Sequence, residues 1–146
     1  MADKALGLLG LMRRAGAIAI GVDNAADALR AGRAKILLIS CDAAENARRK
    51  IEHLSVGRRA LTVPLRYTRD ELADSLGVSG CSAAAVTDIG FANALMKILA
   101  AEDPQRYAEA AQEIEKRCEK TARRKKETAA RKGMKRNDKR RTEEWA

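Results

Sequence analysis

Catalytic side chains are scarce in this chain. Its 146 residues include one histidine, His53, and four aromatics, Tyr67, Phe91, Tyr107 and Trp145. His53 has no nucleophile or orienting partner at a recognisable spacing, and the sequence holds neither GxSxG nor a P-loop. Triad-type acyl transfer and P-loop nucleotide hydrolysis therefore have no support. Cys41, Cys81 and Cys118 stand 40 and 37 residues apart, with no CxxC pair and no Cys/His cluster, which argues against a bound structural metal. Asp23 and Asp27 share a helix face, but carboxylates at a helix start are far more often capping and dipole partners than an acid–base pair. Cys41 lies between a strand and a helix, where a thiol pKa can fall, although a small core residue suits that place better. No catalytic residue, metal ligand or cofactor is assigned.

Long apolar runs are missing as well. Leu6 to Met12 is seven residues long and follows only Asp3-Lys4, too short to span a bilayer and too weakly charged ahead of it for a signal peptide. Three cysteines without a pairing pattern suggest a reducing cytosol, so the expected location is cytoplasmic and away from membranes.

The first 115 residues lack any charge excess, with 15 Lys+Arg against 15 Asp+Glu, whereas residues 116–141 carry 14 against 3. A neutral body with a cationic arm is the pattern of a folded module joined to a polyanion-seeking tail. No aromatic residue lies between Tyr107 and Trp145, so the arm cannot stack bases along its length and its contacts would be to phosphates. The cations expected to make them are Arg123, Arg124, Lys125, Lys126, Arg131, Lys132, Lys135, Arg136, Lys139, Arg140 and Arg141.

Apolar spacing predicts an alternation of helices and strands. Ala5, Leu8, Leu9 and Met12 place a helix over residues 4–15, ended by Gly16. Then follow the strand 17–20, the helix 23–31 capped by Asp23 or Asn24, and the strand 35–40, whose ILLI run should be buried on both faces. Asp42 is expected to cap a helix from Ala43 to about Leu54. Pro64 places the strand LTVPL near an edge, and Thr68-Arg69-Asp70-Glu71 reads as a capping box opening a short helix that stops at Gly77. Ser82–Thr87 forms a further strand, and Asp88 caps a helix striped by Phe91, Leu95, Ile98 and Leu99. After Asp103-Pro104 the apolar pattern resumes at Tyr107, Ala111, Ile114 and Cys118, then gives way to a helix-favouring polar sequence expected to project, fray near Gly133 and end in disorder. The division expected is an α/β domain over 1–103 and a basic helical to disordered tail over 104–146. The alternation indicates an α/β domain with a mixed or largely parallel sheet, whose ligands would meet loops beyond the strand ends, at Gly21–Asn24 and Ser79–Ser82.

The stretch GVDNAADALRAGRAKILLISCD is the most informative, because a glycine turn delivers a helix start whose backbone N–H groups face outward and favour anions. Together with LLGLMRRAG and AVTDIGFANALMKIL, it makes residues 5–100 resemble the kink-turn-binding ribosomal-protein family, in its bacterial YlxQ-type branch. That resemblance implies a three-layer α/β/α sandwich around a four-stranded sheet, a non-catalytic RNA-binding role, and two neighbouring loops that form the RNA site. The family's Gly-x-Asn-Glu-x-x-Lys string falls on Gly21-Val22-Asp23-Asn24-Ala25-Ala26-Asp27, where only the glycine matches. Gly21 then carries over as the close-approach position and Asn24 as a base-edge partner, while Asp23 and Asp27 set carboxylates where the family has an amide and a lysine. Of the second loop, Val78, Ser79 and Gly80 are expected at the RNA, with Val78 alone suited to packing on a base. Arg30, Arg33 and Lys35 are further cations near the same helices, with Arg13 and Arg14. The expected partner is ribosomal or other structured RNA, with ribosome, translation or transcription proteins as possible company for a monomeric chain. The competing reading is a protein-interaction module that no longer recognises RNA, with Asp23 and Asp27 facing a basic partner.

Overall fold

The computed structural model describes residues 3–144, with side chains described as far as Gly133. In order along the chain, α1 is Lys4–Arg14, β1 Ile18–Ile20, α2 Val22–Arg30, β2 Ile36–Ile39, α3 Glu45–Ser55, β3 Leu61–Pro64, α4 Arg69–Leu76, β4 Ala83–Val86, α5 Ile89–Glu102 and α6 Pro104–Glu144. The strands form one mixed sheet in the order β1-β4-β2-β3, with β2 parallel to β3 and β4 antiparallel to both of its neighbours. Pro64, which has no N–H for a ladder, ends the edge strand β3.

Side-chain alternation along the two central strands divides the interior in two. Ile36 and Leu38 of β2 with Ala84 and Val86 of β4 face a large cluster supplied by α1, α4, α5 and the start of α6. Leu37 and Ile39 with Ala83 and Ala85 face a smaller one, closed by Ala25, Ala28 and Leu29 of α2 and Ile51 of α3. All four residues of β2 are buried, as its unbroken apolar run requires, and the domain is the expected three-layer α/β/α sandwich. The small side chains of β4 and α2 let that helix lie close against the sheet.

Helix starts depart from their expected places in instructive ways. The α1 start is capped by Asp3, whose Oδ1 accepts from Ala5 N–H at 2.9 Å and Leu6 N–H at 3.3 Å. Neither Asp23 nor Asn24 caps α2: Gly21 occupies the N-cap at φ 97° and ψ 158°, a conformation essentially confined to glycine, and the helix begins a residue earlier at Val22. Asp42 does not cap α3, which opens at Glu45; its carboxylate accepts instead from Arg69 N–H at 2.8 Å and so serves the start of α4. The capping box at Thr68 and Glu71, the left-handed stop at Gly77 and the Asp88 cap of α5 are all present.

The last helix differs most. Tyr107 and Ile114 are buried in the large cluster, and the Tyr107 hydroxyl donates to Pro64 O at 2.5 Å, so the first three turns of α6 belong to the domain rather than to a tail beginning at residue 104. The helix also runs through Gly133 to Glu144. One glycine costs a helix about 1 kcal/mol relative to alanine, which its Ala, Lys, Arg and Glu neighbours offset. Disorder expected at the very end falls on Trp145 and Ala146, outside the described residues.

Candidate functional site

The loops at Gly21 and Ser79 meet. Gly21 N–H donates to Ala83 O at 2.9 Å, fastening the turn after β1 to the chain entering β4. Gly21, Val22, Ser79, Gly80 and Ser82 thereby line one open cleft of about 460 Å³. Gly21 O accepts from Ala25 N–H at 2.9 Å, and the N–H groups of Val22, Asp23 and Asn24 have no protein acceptor among the described residues. Three outward donors at the positive end of a helix suit an anion or an acceptor-rich base edge.

Asn24 folds back so that Nδ2 donates to Ile20 O at 2.8 Å. This fixes the amide at the helix start while Oδ1 and the second N–H stay free for a ligand, the pattern that reads a base edge. The carboxylates beside it are less repulsive than their positions in the sequence suggest. Asp23 is paired with Lys50 of α3 at 2.8 Å, and the Lys50 ammonium, by hydrogen bond and charge, lowers its pKa. Asp27 lies a turn further on, paired with Arg30 at 3.4 Å. Lys50 was not among the residues the sequence singled out, because the partner lies 27 positions away on another helix.

Ser79 and Gly80 line the cleft; Val78 does not, being half-buried against the large core cluster with its N–H bonded to Ala73 O at 3.0 Å. Cys81 and, at the start of α4, Arg69 and Asp70 complete the wall. Spacing alone does not reveal the place of Arg69 and Asp70, since both sit inside a capping box that reads as structure. Arg69 is held by Asp42, Nε to Oδ2 3.7 Å, and the bond from the Arg69 backbone N–H keeps the Asp42 carboxyl below its usual pKa.

The remaining candidates do not join this cleft. Lys35 N–H donates to Val86 O at 2.8 Å, at the opposite end of β4 from Ala83, so Lys35 is removed from Gly21 by a strand length of roughly 10 Å. Arg30 and Arg33 lie with it, at the far end of α2. Arg13 is committed elsewhere: its guanidinium donates to Leu76 O and Gly77 O, capping the C-terminus of α4. On α6, the side chains of Arg123, Arg124, Lys125, Lys126, Arg131 and Lys132 are exposed. Those of Lys135, Arg136, Lys139, Arg140 and Arg141 lie outside the described residues. Among the described residues no group of His, Cys, Asp or Glu could hold a metal, and no helix is long and apolar enough to cross a membrane.

The α/β/α sandwich presents an open, polar cleft built from a helix start and a neighbouring loop, an arrangement suited to binding a polar ligand. Residues 3–96 match the ribosomal protein L7Ae/L30e/S12e/Gadd45 family, and the chain belongs to that family; it is not an enzyme. It is 35% identical over 94 residues to the RNA-binding protein YlxQ of Bacillus subtilis (strain 168), a match that covers 63% of this chain and 91% of the relative. Two solved structures share the fold. A protein with unknown function from Bacillus halodurans C aligns with a TM-score of 0.62 at 24% identity, over 66% of this chain and 97% of the other. The Giardia lamblia 15.5kD RNA binding protein aligns with a TM-score of 0.53 at 18% identity, over 64% and 79%.

Proposed function

We propose that the chain is a monomeric, cytoplasmic RNA-binding protein of the ribosome or translation apparatus. Its cleft between the start of α2 and the loop before β4 takes a structured RNA, and α6 adds contacts to phosphates. The observation that carries this reading is the convergence of Gly21, Val22, Ser79 and Gly80 on one cleft, with the first turn of α2 beside it offering the Asn24 amide and N–H groups that have no acceptor among the described residues. Family membership and the likeness to an RNA-binding relative support it. Outward backbone donors and a side-chain amide suit unpaired or splayed nucleotides, which proteins read at base edges and phosphates.

Of the kink-turn signature only Gly21 is in place, so recognition of that RNA shape would rest on Asn24 and the backbone donors, without the basic contact at Asp27. Crosslinking and sequencing of bound RNA in the source cells, followed by titration of the enriched RNA, tests the reading. Asn24→Ala should weaken binding by about 1–3 kcal/mol through the lost base-edge contact. Asp27→Lys should strengthen it, because a cation replaces a carboxylate on the exposed face of the same helix. If parent and both variants bind the RNA equally, the cleft is not the reader. A second reading, a basic protein segment seated on this face, draws on Asp70 in the cleft wall and on the exposed Asp23 and Asp27 of α2, and Asp27→Lys would then weaken capture of the partner.

A further inference from the structure

At the other end of the sheet, α6 crosses the domain and leaves a depression of about 280 Å³. Cations reach it from three separate parts of the chain: Lys35 at the entry to β2, Arg59 in the loop before β3, and Arg117, Lys120 and Arg124 on α6. No carboxylate lines it. We propose that this groove, formed by Lys35, Arg59, Lys120 and Arg124, is a second phosphate-binding site that holds the sugar–phosphate backbone of a bound RNA. The proposal rests on the RNA-binding reading given above but uses none of the residues of the Gly21 cleft.

Four observations carry it. First, Lys35, Arg59, Lys120 and Arg124 make no ion pair among the described residues, although charged partners are found for many other cations of the domain. Second, the ordinary task of cations at this place, compensating the C-terminus of α2, is already performed by Arg58, whose guanidinium donates to Leu29 O at 3.2 Å. Third, the groove is built before any ligand arrives. The Arg117 guanidinium donates to Arg59 O at 2.6 Å and is held by Glu113 at 3.0 Å, which locks α6 to the loop before β3, while Gly32 and Ala34 keep the floor low enough for close approach.

Fourth, the groove continues into a shallow hollow further along α6, bordered by Lys125, Thr128 and Lys132, and the two share Thr121 and Arg124. From Lys120 to Lys132 the helix rises roughly 18 Å, so successive cations lie along a track rather than around a point. A small free anion would need only the enclosed end. An extended polyanion uses the whole. Closely spaced like charges with no counter-charge raise the local potential, which a row of phosphates relieves while releasing counterions.

The test uses the full-length chain and a fluorescent hairpin RNA containing a kink-turn, titrated across a salt series. Arg59→Gln/Lys120→Gln removes two groove cations whose side chains hold no structural bond. Lys4→Gln/Arg48→Gln removes two exposed cations elsewhere and equalises net charge. The groove variant should lose roughly 3–10-fold in affinity and flatten the log–log salt slope by about 1.4–1.8, while the control shifts less than about twofold. Equal behaviour of the two variants, with the parent still binding, overturns the groove and leaves the cleft reading intact. No binding by the parent overturns the groove and kink-turn recognition, while the cleft reading is judged on the RNA enriched by crosslinking. Tripolyphosphate serves as a competitor: if the groove variant loses affinity for tripolyphosphate but not for the hairpin, the site belongs to a free polyanion and the proposal fails.

Discussion

Gly21 does two things that no other residue type could do together. Its positive φ turns the chain from β1 directly into α2, and its missing side chain leaves the first N–H groups of that helix open. A Cβ built there meets no atom within 4 Å, so Gly21→Ala would suffer from backbone strain and not from a clash. We expect it to destabilise the fold by about 1–3 kcal/mol, measurable by denaturant unfolding, and to weaken RNA binding by displacing the donors. Gly21 was legible in the sequence because only glycine tolerates such a turn between a strand and a helix. The caps were less so: Asp23 and Asn24 are both good N-cap residues, but Gly21 takes that place, while Asn24 turns back to Ile20 O and Asp23 pairs with Lys50, 27 residues away on another helix. Val78, just after the helix stop at Gly77, is partly buried against the large cluster, a tertiary contact that spacing does not show.

At the scale of elements, the strands and helices follow apolar periodicity closely, and the two-sided burial of β2 follows from its four successive aliphatic residues. The beginning of α6 shows the limit of such reading. Tyr107, Ala111, Ile114 and Cys118 announce an apolar stripe, but only the tertiary fold shows that it covers the large cluster. Ile114 is fully buried, so Ile114→Ala should cost about 2–5 kcal/mol in denaturant unfolding, and a chain cut after Asp103 should be far less stable than one cut after Thr121. If the two truncations unfold alike, α6 contributes nothing to the core.

A second element-scale device joins α1 to the end of β3. Asp3 caps α1, accepts from the Tyr67 hydroxyl at 2.8 Å and pairs with Arg66 at 3.1 Å, while Arg66 also reaches Glu102 at 2.8 Å and lies over the Tyr67 ring. Burial, then the hydrogen bond to Asp3, pushes the Tyr67 pKa up to about 12. The folded state therefore keeps a proton that the unfolded chain loses near pH 10. Its stabilisation is complete below about pH 10 and falls away as the pH rises toward about 12. Urea unfolding across that window should show the decline in the parent and a shallower one in Tyr67→Phe; the same slope in both would deny the tyrosine this part.

For the whole molecule, charge placement explains more than charge total. The 14 Lys+Arg of residues 116–141 against 3 Asp+Glu are spread along a helix whose first turns are part of the domain, so the arm is anchored at its start. The sequence made this asymmetry plain, and the resemblance to the family made the three-layer sandwich plain. What neither disclosed is that the candidate residues separate to two ends of the sheet, with Gly21, Asn24, Ser79 and Gly80 at one and Lys35 at the other. Such a layout depends on strand order and direction, which spacing along the chain does not determine.

The most direct test of the account compares three proteins on the RNA enriched by crosslinking: the full chain, the chain cut after Thr121, and full-length Asn24→Ala, each titrated over a range of salt. The account predicts that the cut chain keeps its preference for that RNA over an unstructured strand, with weaker binding and a shallower salt slope, and that Asn24→Ala loses the preference while retaining the slope. Loss of every trace of preference in the cut chain, with Asn24→Ala behaving as the parent, would contradict it and make the arm the only part that meets RNA.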